Sequence, residues 1–132
     1  MNKSHHLGEL QYAIMRVLWE EGEASVAQVW EGLPDPHQRA LTTIATMLSK
    51  MEKKGVVEHR AEGRQFIYVP SVSEPDVHRT MVADLTDRLF QGDVTALVAH
   101  LLSEQEIDRT ELDQLQKLIR TRKQQRKDGD ER

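Results

Sequence analysis

The chain has 132 residues, 38% hydrophobic and 30% charged, with a formal net charge of −4 and no cysteine. That length holds one or two small domains, and the missing cysteines exclude disulfides, thiolate metal sites and cysteine nucleophiles. No apolar run approaches the ~20 residues of a membrane span, and MNKSHHLGEL carries no hydrophobic signal core. The expected location is therefore the cytoplasm, without membrane insertion.

Leu7, Leu10, Ile14, Val17 and Leu18 recur at helical spacing, with Trp19 as a large apolar anchor, and Gly22 stops the run. Ser25-Val-Ala-Gln28 has the form of a capping box. Val26, Val29, Trp30 and Leu33 then form a short second helix ended by Pro34 and Pro36. A third helix is predicted from Leu41 to Lys54, with Leu41, Ile44, Leu48 and Met51 as its buried stripe and Gly55 as its stop. The period then changes. Val56–Arg60 and Gln65–Val69 read as two short strands around Ala61-Glu-Gly63-Arg64, a hairpin. Three short helices and a hairpin form the element order of a winged helix-turn-helix.

Ser73-Glu-Pro-Asp76 starts a fourth helix, in which Val77, Met81, Leu85 and Leu89 repeat every four residues until Gly92. A fifth helix carries Val94, Leu97, Val98, Leu101 and Leu102. A sixth starts at Asp108 and carries Leu112, Leu115, Leu118 and Ile119. These stripes have no core of their own to cover them, and a symmetric copy is the favoured cover, with folding back on the first half as the alternative. The expected fold is mostly α with a small β-hairpin: a winged helix-turn-helix at 1–72, a helical dimerisation arm at 73–127 and a frayed tail at 128–132. The dimer interface is assigned to Val77, Met81, Leu85, Leu89, Val98, Leu101, Leu112, Leu115 and Ile119.

The acidic total does not exclude a nucleic-acid partner, because charge distribution matters more than its sum. Between Arg39 and Phe66 stand six basic residues (Arg39, Lys50, Lys53, Lys54, Arg60, Arg64) and three acidic ones (Glu52, Glu58, Glu62), a balance of +3. The face of the third helix opposite its apolar stripe presents Thr42, Thr43, Thr46, Ser49, Lys50 and Lys53. Thr42, Thr43 and Thr46 suit base reading, since small hydroxyls permit close approach and a Thr methyl packs on thymine. Lys50, Lys53, Arg39, Arg60 and Arg64 suit the phosphate backbone. Each also has a plainer reading: a solvated helix face for the Thr–Lys line, a loop charge for Arg39, dipole compensation for Lys53 and Lys54, surface arginines for Arg60 and Arg64. His5, His6, His37, His59, His78 and His100 show no paired ligand spacing, so no metal is expected. Trp19, Trp30 and Tyr68 read as core. No phosphate loop, nucleophile elbow or dinucleotide fingerprint is present; neither an enzyme nor a cofactor is expected.

The segments LGELQYAIMRVLW (Leu7–Trp19), TTIATMLSKMEKKG (Thr42–Gly55) and GRQFIYVP (Gly63–Pro70) together resemble the penicillinase-repressor (BlaI/MecI) family, and the resemblance runs from about Leu7 to Lys123. It implies a homodimeric repressor on palindromic double-stranded operator DNA, with the third helix of each protomer in a major groove. It places Thr42, Thr43 and Thr46 at base-reading positions, Lys50, Arg60 and Arg64 near the backbone, and helices four to six in the dimer arm. In the best-known relatives a membrane sensor leads to proteolysis inside that arm. The corresponding place here is His100-Leu101, where those relatives carry an Asn-Phe pair, a departure that leaves cleavage and a β-lactam trigger open. A copper-responsive branch uses a cysteine-rich site, which this chain lacks. A winged-helix module that binds protein instead of DNA is the alternative reading.

Overall fold

A computed structural model describes residues 7–35 and 39–130; His5, His6, Pro36 and His37 lie outside them. The elements run α1 (Glu9–Glu21), β1 (Ala24–Ser25), α2 (Val26–Gly32), α3 (Leu41–Lys54), β2 (Val57–Glu62), β3 (Gln65–Pro70), α4 (Glu74–Phe90), α5 (Val94–Glu104) and α6 (Arg109–Asp130). They fall into two compact units, Met1–Leu89 and Phe90–Arg132.

In the first unit, α1 to α3 bury the stripes their spacing dictates. Ile14, Met15 and Leu18 of α1, Val29 of α2, and Ile44, Leu48 and Met51 of α3 are all fully buried in one core. Ser25 starts α2 with the expected capping box: its Oγ accepts from the Gln28 amide at 3.2 Å, and Gln28 Oε1 accepts from the Ser25 amide at 2.8 Å. Two orphan donors of the helix start are thereby satisfied. Gly55 closes α3 in the left-handed region (φ 91°), where its lack of a Cβ removes the steric cost.

The hairpin is tighter than its sequence suggests. Glu62 pairs with Gln65, which leaves only Gly63 and Arg64 in the turn. Gly63 has φ 64° and Arg64 stays out of that region, the arrangement of a II′ turn with glycine first. A third strand joins the sheet in the order β1-β3-β2, with Ala24 opposite Tyr68 and Ser25 opposite Ile67. Two residues carry no period, and β1 has no signature in the sequence. Trp19 and Trp30 pack against the core and Tyr68 is buried in it.

Two apolar assignments change. Leu41, expected in the buried stripe of α3, is 47% exposed. It opens the helix at the rim of a cleft of about 340 Å³, shared with Val26 and Ala27 of α2, Thr42 and Ala45 of α3 and Phe66 of β3, and no described residue covers it. Val77, expected at the dimer interface, is 0% exposed and belongs to the core of the first unit, with Met81 packed partly buried against it. The first turns of α4 are further tied down by Tyr12, whose hydroxyl lies 2.7 Å from His78 Nε2. Just ahead of α4, Trp19 Nε1 donates to the Val72 carbonyl at 2.9 Å. The winged-helix body therefore extends into α4, beyond the boundary expected after residue 72.

The second unit holds α5 and α6. Asp93 caps α5 by accepting from the Ala96 amide at 3.0 Å, and Asp108 accepts from the Glu111 amide at 2.8 Å at the start of α6. α6 continues to Asp130, through residues 128–130 where a frayed tail is expected. The Lys, Gln and Arg side chains of residues 117–127 favour helix without an apolar face, whereas Asp128-Gly-Asp130 is a weak helix former; Gln124 Nε2 donates to Asp128 Oδ1 at 3.1 Å, one turn back.

Candidate nucleic-acid interface

Burial of Ile44, Leu48 and Met51 sets the rotation of α3 about its axis. The opposite face, with Thr42, Thr43, Thr46, Ser49, Lys50 and Lys53, is exposed along its whole length. Hydroxyls occupy the first turns and ammonium groups the last, as the sequence orders them. Lys50 and Lys53 form no ion pair with a described residue, and Arg64 stands exposed in the hairpin turn, likewise without one. Lys54 departs from the line: its Nζ donates to Gln11 Oε1 at 3.0 Å, which turns it onto α1. Arg39 is exposed just before α3, and its carbonyl accepts from Trp30 Nε1 at 2.7 Å, which anchors the entry to that helix on α2.

Two braces hold the hairpin, and neither has a sequence signature. His59 of β2 meets Glu52 of α3, with Nδ1 at 2.6 and 2.9 Å from the two carboxylate oxygens. Its ring also stacks on Phe66 of β3, centroids 4.1 Å apart. This links the wing to α3. The second brace is Arg60, whose guanidinium receives the Glu23 carboxylate in a two-point contact, both distances 2.9 Å, and Glu62 at 2.8 Å. Hydrogen bonding from Arg60 pulls the Glu23 pKa below its ordinary value, and Glu23 and Glu62 push that of Arg60 upward. Arg60, expected to face phosphate, is thus engaged by two carboxylates of its own chain. Of the cations assigned to the backbone, Arg39, Lys50, Lys53 and Arg64 are exposed without an ion pair to a described residue.

The residues assigned to the dimer arm are distributed unevenly. Leu85 and Leu89 of α4 are 43% and 65% exposed. Val98 and Leu101 of α5 and Leu112, Leu115 and Ile119 of α6 are exposed as well, and α5 has no buried residue at all. His100 and Leu101 lie inside α5, both exposed. No described helix is long and apolar enough to cross a membrane, and no group of three or more His, Asp or Glu among the described residues is placed to hold a metal.

A three-helix core that presents one polar helix face beside a braced hairpin defines a winged-helix DNA-binding protein. Comparison with known proteins carries the description further. The chain belongs to the penicillinase repressor family, which it matches over residues 7–121. It is 25% identical to the penicillinase repressor of Bacillus licheniformis over 128 residues, covering 97% of this chain and 100% of that protein. It is 30% identical over 104 residues to the transcriptional regulator BlaI of Mycobacterium tuberculosis (strain CDC 1551 / Oshkosh), covering 77% of this chain and 75% of the relative. The solution structure of the DNA-binding domain of the repressor BlaI superposes with a TM-score of 0.50 at 32% identity, over 58% of this chain and 93% of that domain. The protein is a DNA-binding transcriptional repressor.

Proposed function

We propose that the repressor acts as a homodimer on palindromic operator DNA, with α3 of each protomer in a major groove. The observation that carries this is the exposed line Thr42, Thr46, Lys50 and Lys53 on the face of α3 opposite the buried Ile44, Leu48 and Met51. Thr42, Thr43 and Thr46 meet base edges. The apolar cleft beside Thr42 offers Leu41, Ala45 and Phe66 to a thymine methyl. Lys50, Lys53, Arg39 and Arg64 meet phosphates, which give affinity and register without sequence information. Dimerisation is supported by Leu85, Leu89, Val98, Leu101, Leu112, Leu115 and Ile119, large apolar side chains that a single chain leaves in water. Release follows from loss of the dimer, with His100-Leu101 as the place where a sensor-protease system would act. The repressor works without catalysis, in the cytoplasm with the DNA it reads.

The test is a salt titration of operator binding with two variants. Wild type is expected to give a steep log–log slope, about −0.9 per phosphate neutralised. Lys50→Ala should weaken binding to all sequences alike and flatten that slope by about one phosphate. Thr46→Ala should keep the slope and cost about 1–3 kcal/mol at one operator position. A flat wild-type slope, or a Thr46→Ala variant with unchanged sequence preference, would overturn the assignment.

A further inference from the structure

Arg60 sits on β2 of the wing, where its guanidinium is engaged by two surface carboxylates of its own chain. Nη1 and Nη2 donate to Glu23 Oε1 and Oε2, both at 2.9 Å, while Nε and Nη2 donate to Glu62 Oε2 at 3.1 and 2.8 Å. This is the planar two-point geometry in which guanidinium and carboxylate pair most strongly. Glu23 comes from the turn between α1 and β1, 37 positions from Arg60 in the chain. One cation shared by two carboxylates makes the cluster net negative, so an approaching phosphate meets no free positive charge there. The side chains of Arg60, Glu23 and Glu62 are 49%, 51% and 58% exposed. Exposed pairs of this kind are individually weak, and a phosphate is a competent rival for the guanidinium once a carboxylate is removed.

We propose that Glu23 and Glu62 are positioning residues that hold Arg60 off the DNA backbone and thereby lower the repressor's sequence-independent affinity. The wing's hold on DNA then rests on Arg64, and Arg60 is a withheld phosphate ligand. Because a phosphate contact carries no sequence information, the withheld contact lowers affinity for operator and bulk DNA alike. A glutamate is ionised at neutral pH even at its ordinary pKa of about 4.3, and Arg60 lowers that of Glu23 further, so the hold persists there. This inference rests on the reading that the wing lies beside the DNA backbone.

The experiment measures binding of the full-length protein to an operator duplex and to an unrelated duplex across a salt series. Glu23→Gln/Glu62→Gln should bind both duplexes more tightly, with a log–log slope steeper by about 0.9 for each additional phosphate that the freed Arg60 neutralises. The same pair of changes in an Arg60→Gln background should leave the slope where Arg60→Gln alone puts it. Glu23→Asp keeps the charge but shortens the reach, and should steepen the slope in the same direction as the amide variant. An unchanged slope in the double amide variant, an equal change with and without Arg60, or a silent Glu23→Asp would each overturn the proposal. A wild-type protein with no salt dependence would instead count against the wing–backbone reading beneath it.

Discussion

Val77→Ala distinguishes a core residue from an interface residue at the start of α4. The valine is 0% exposed within the first unit, and the substitution removes two methyl groups. At about 0.8 kcal/mol per buried carbon the transfer loss is about 1.6 kcal/mol, and the cavity left between α4 and the core raises it to about 2 kcal/mol. For a unit of this size each kcal/mol moves the unfolding midpoint by roughly 4–8 °C, so the expected drop is roughly 8–16 °C. Leu89, 65% exposed further along the same helix, supplies the contrast. If Leu89 is covered only by a second copy, Leu89→Ala destabilises through the dimer, and its effect depends on protein concentration. The assay is thermal unfolding followed by circular dichroism at two well-separated concentrations, with the monomer–dimer equilibrium measured by sedimentation. Val77→Ala should shift the midpoint equally at both concentrations and leave dimer affinity unchanged. A shift within about 0.5 kcal/mol of wild type, or one that grows on dilution, would refute the placement of Val77 in the core.

Gly32, the last residue of α2, lies against Val17 of α1, and a Cβ there would stand 2.9 Å from one Val17 methyl and 3.2 Å from the other. Val17 is buried and stiff about χ1, so overpacking of about 1–3 kcal/mol should outweigh a helix-propensity gain of at most about 1 kcal/mol; a Gly32→Ala variant with a raised unfolding midpoint would contradict this packing. Glu23, with its folded pKa depressed by Arg60, contributes stability present above its unfolded pKa of about 4.3 and lost as pH falls through the folded value. Glu23→Gln should therefore lose less stability than wild type on acidification below about pH 4, measured by denaturant unfolding. Tyr68 has its pKa raised first by burial and then by the charge of Glu52. Its contribution is present below about pH 10 and lost as pH rises through the folded value, and Tyr68→Phe should flatten that alkaline loss.

Helical spacing identified the buried side of α3 at Ile44, Leu48 and Met51 and left Thr42, Thr46, Lys50 and Lys53 opposite. That face was legible because one helix's period specifies it. The same spacing misplaced Leu41 and Val77, because a period states which side is apolar and not what covers it. Leu41 falls beyond the reach of the core at the first residue of its helix, and Val77 falls within reach of the core on the other side of the presumed boundary. The braces of the wing were illegible for a related reason. Glu52 and His59 stand on different elements, and Glu23 and Arg60 are 37 positions apart, so only the folded chain brings either pair together. Arg60 shows the consequence for function: a wing arginine reads as a phosphate ligand until its carboxylate partners are seen. β1 and residues 128–130 at the end of α6 were missed because two residues have no period and Asp128-Gly-Asp130 has neither an apolar stripe nor helix propensity.

The central claim, a symmetric dimer that reads DNA through α3, is tested most directly by selecting bound duplexes from a random pool with the full-length protein. The expected product is a palindrome whose half-sites lie about one helical turn apart, or a small multiple of it. A variant at Thr46 should change the preferred base within each half-site. An enriched sequence without twofold symmetry, or a pool that never converges, would contradict the claim.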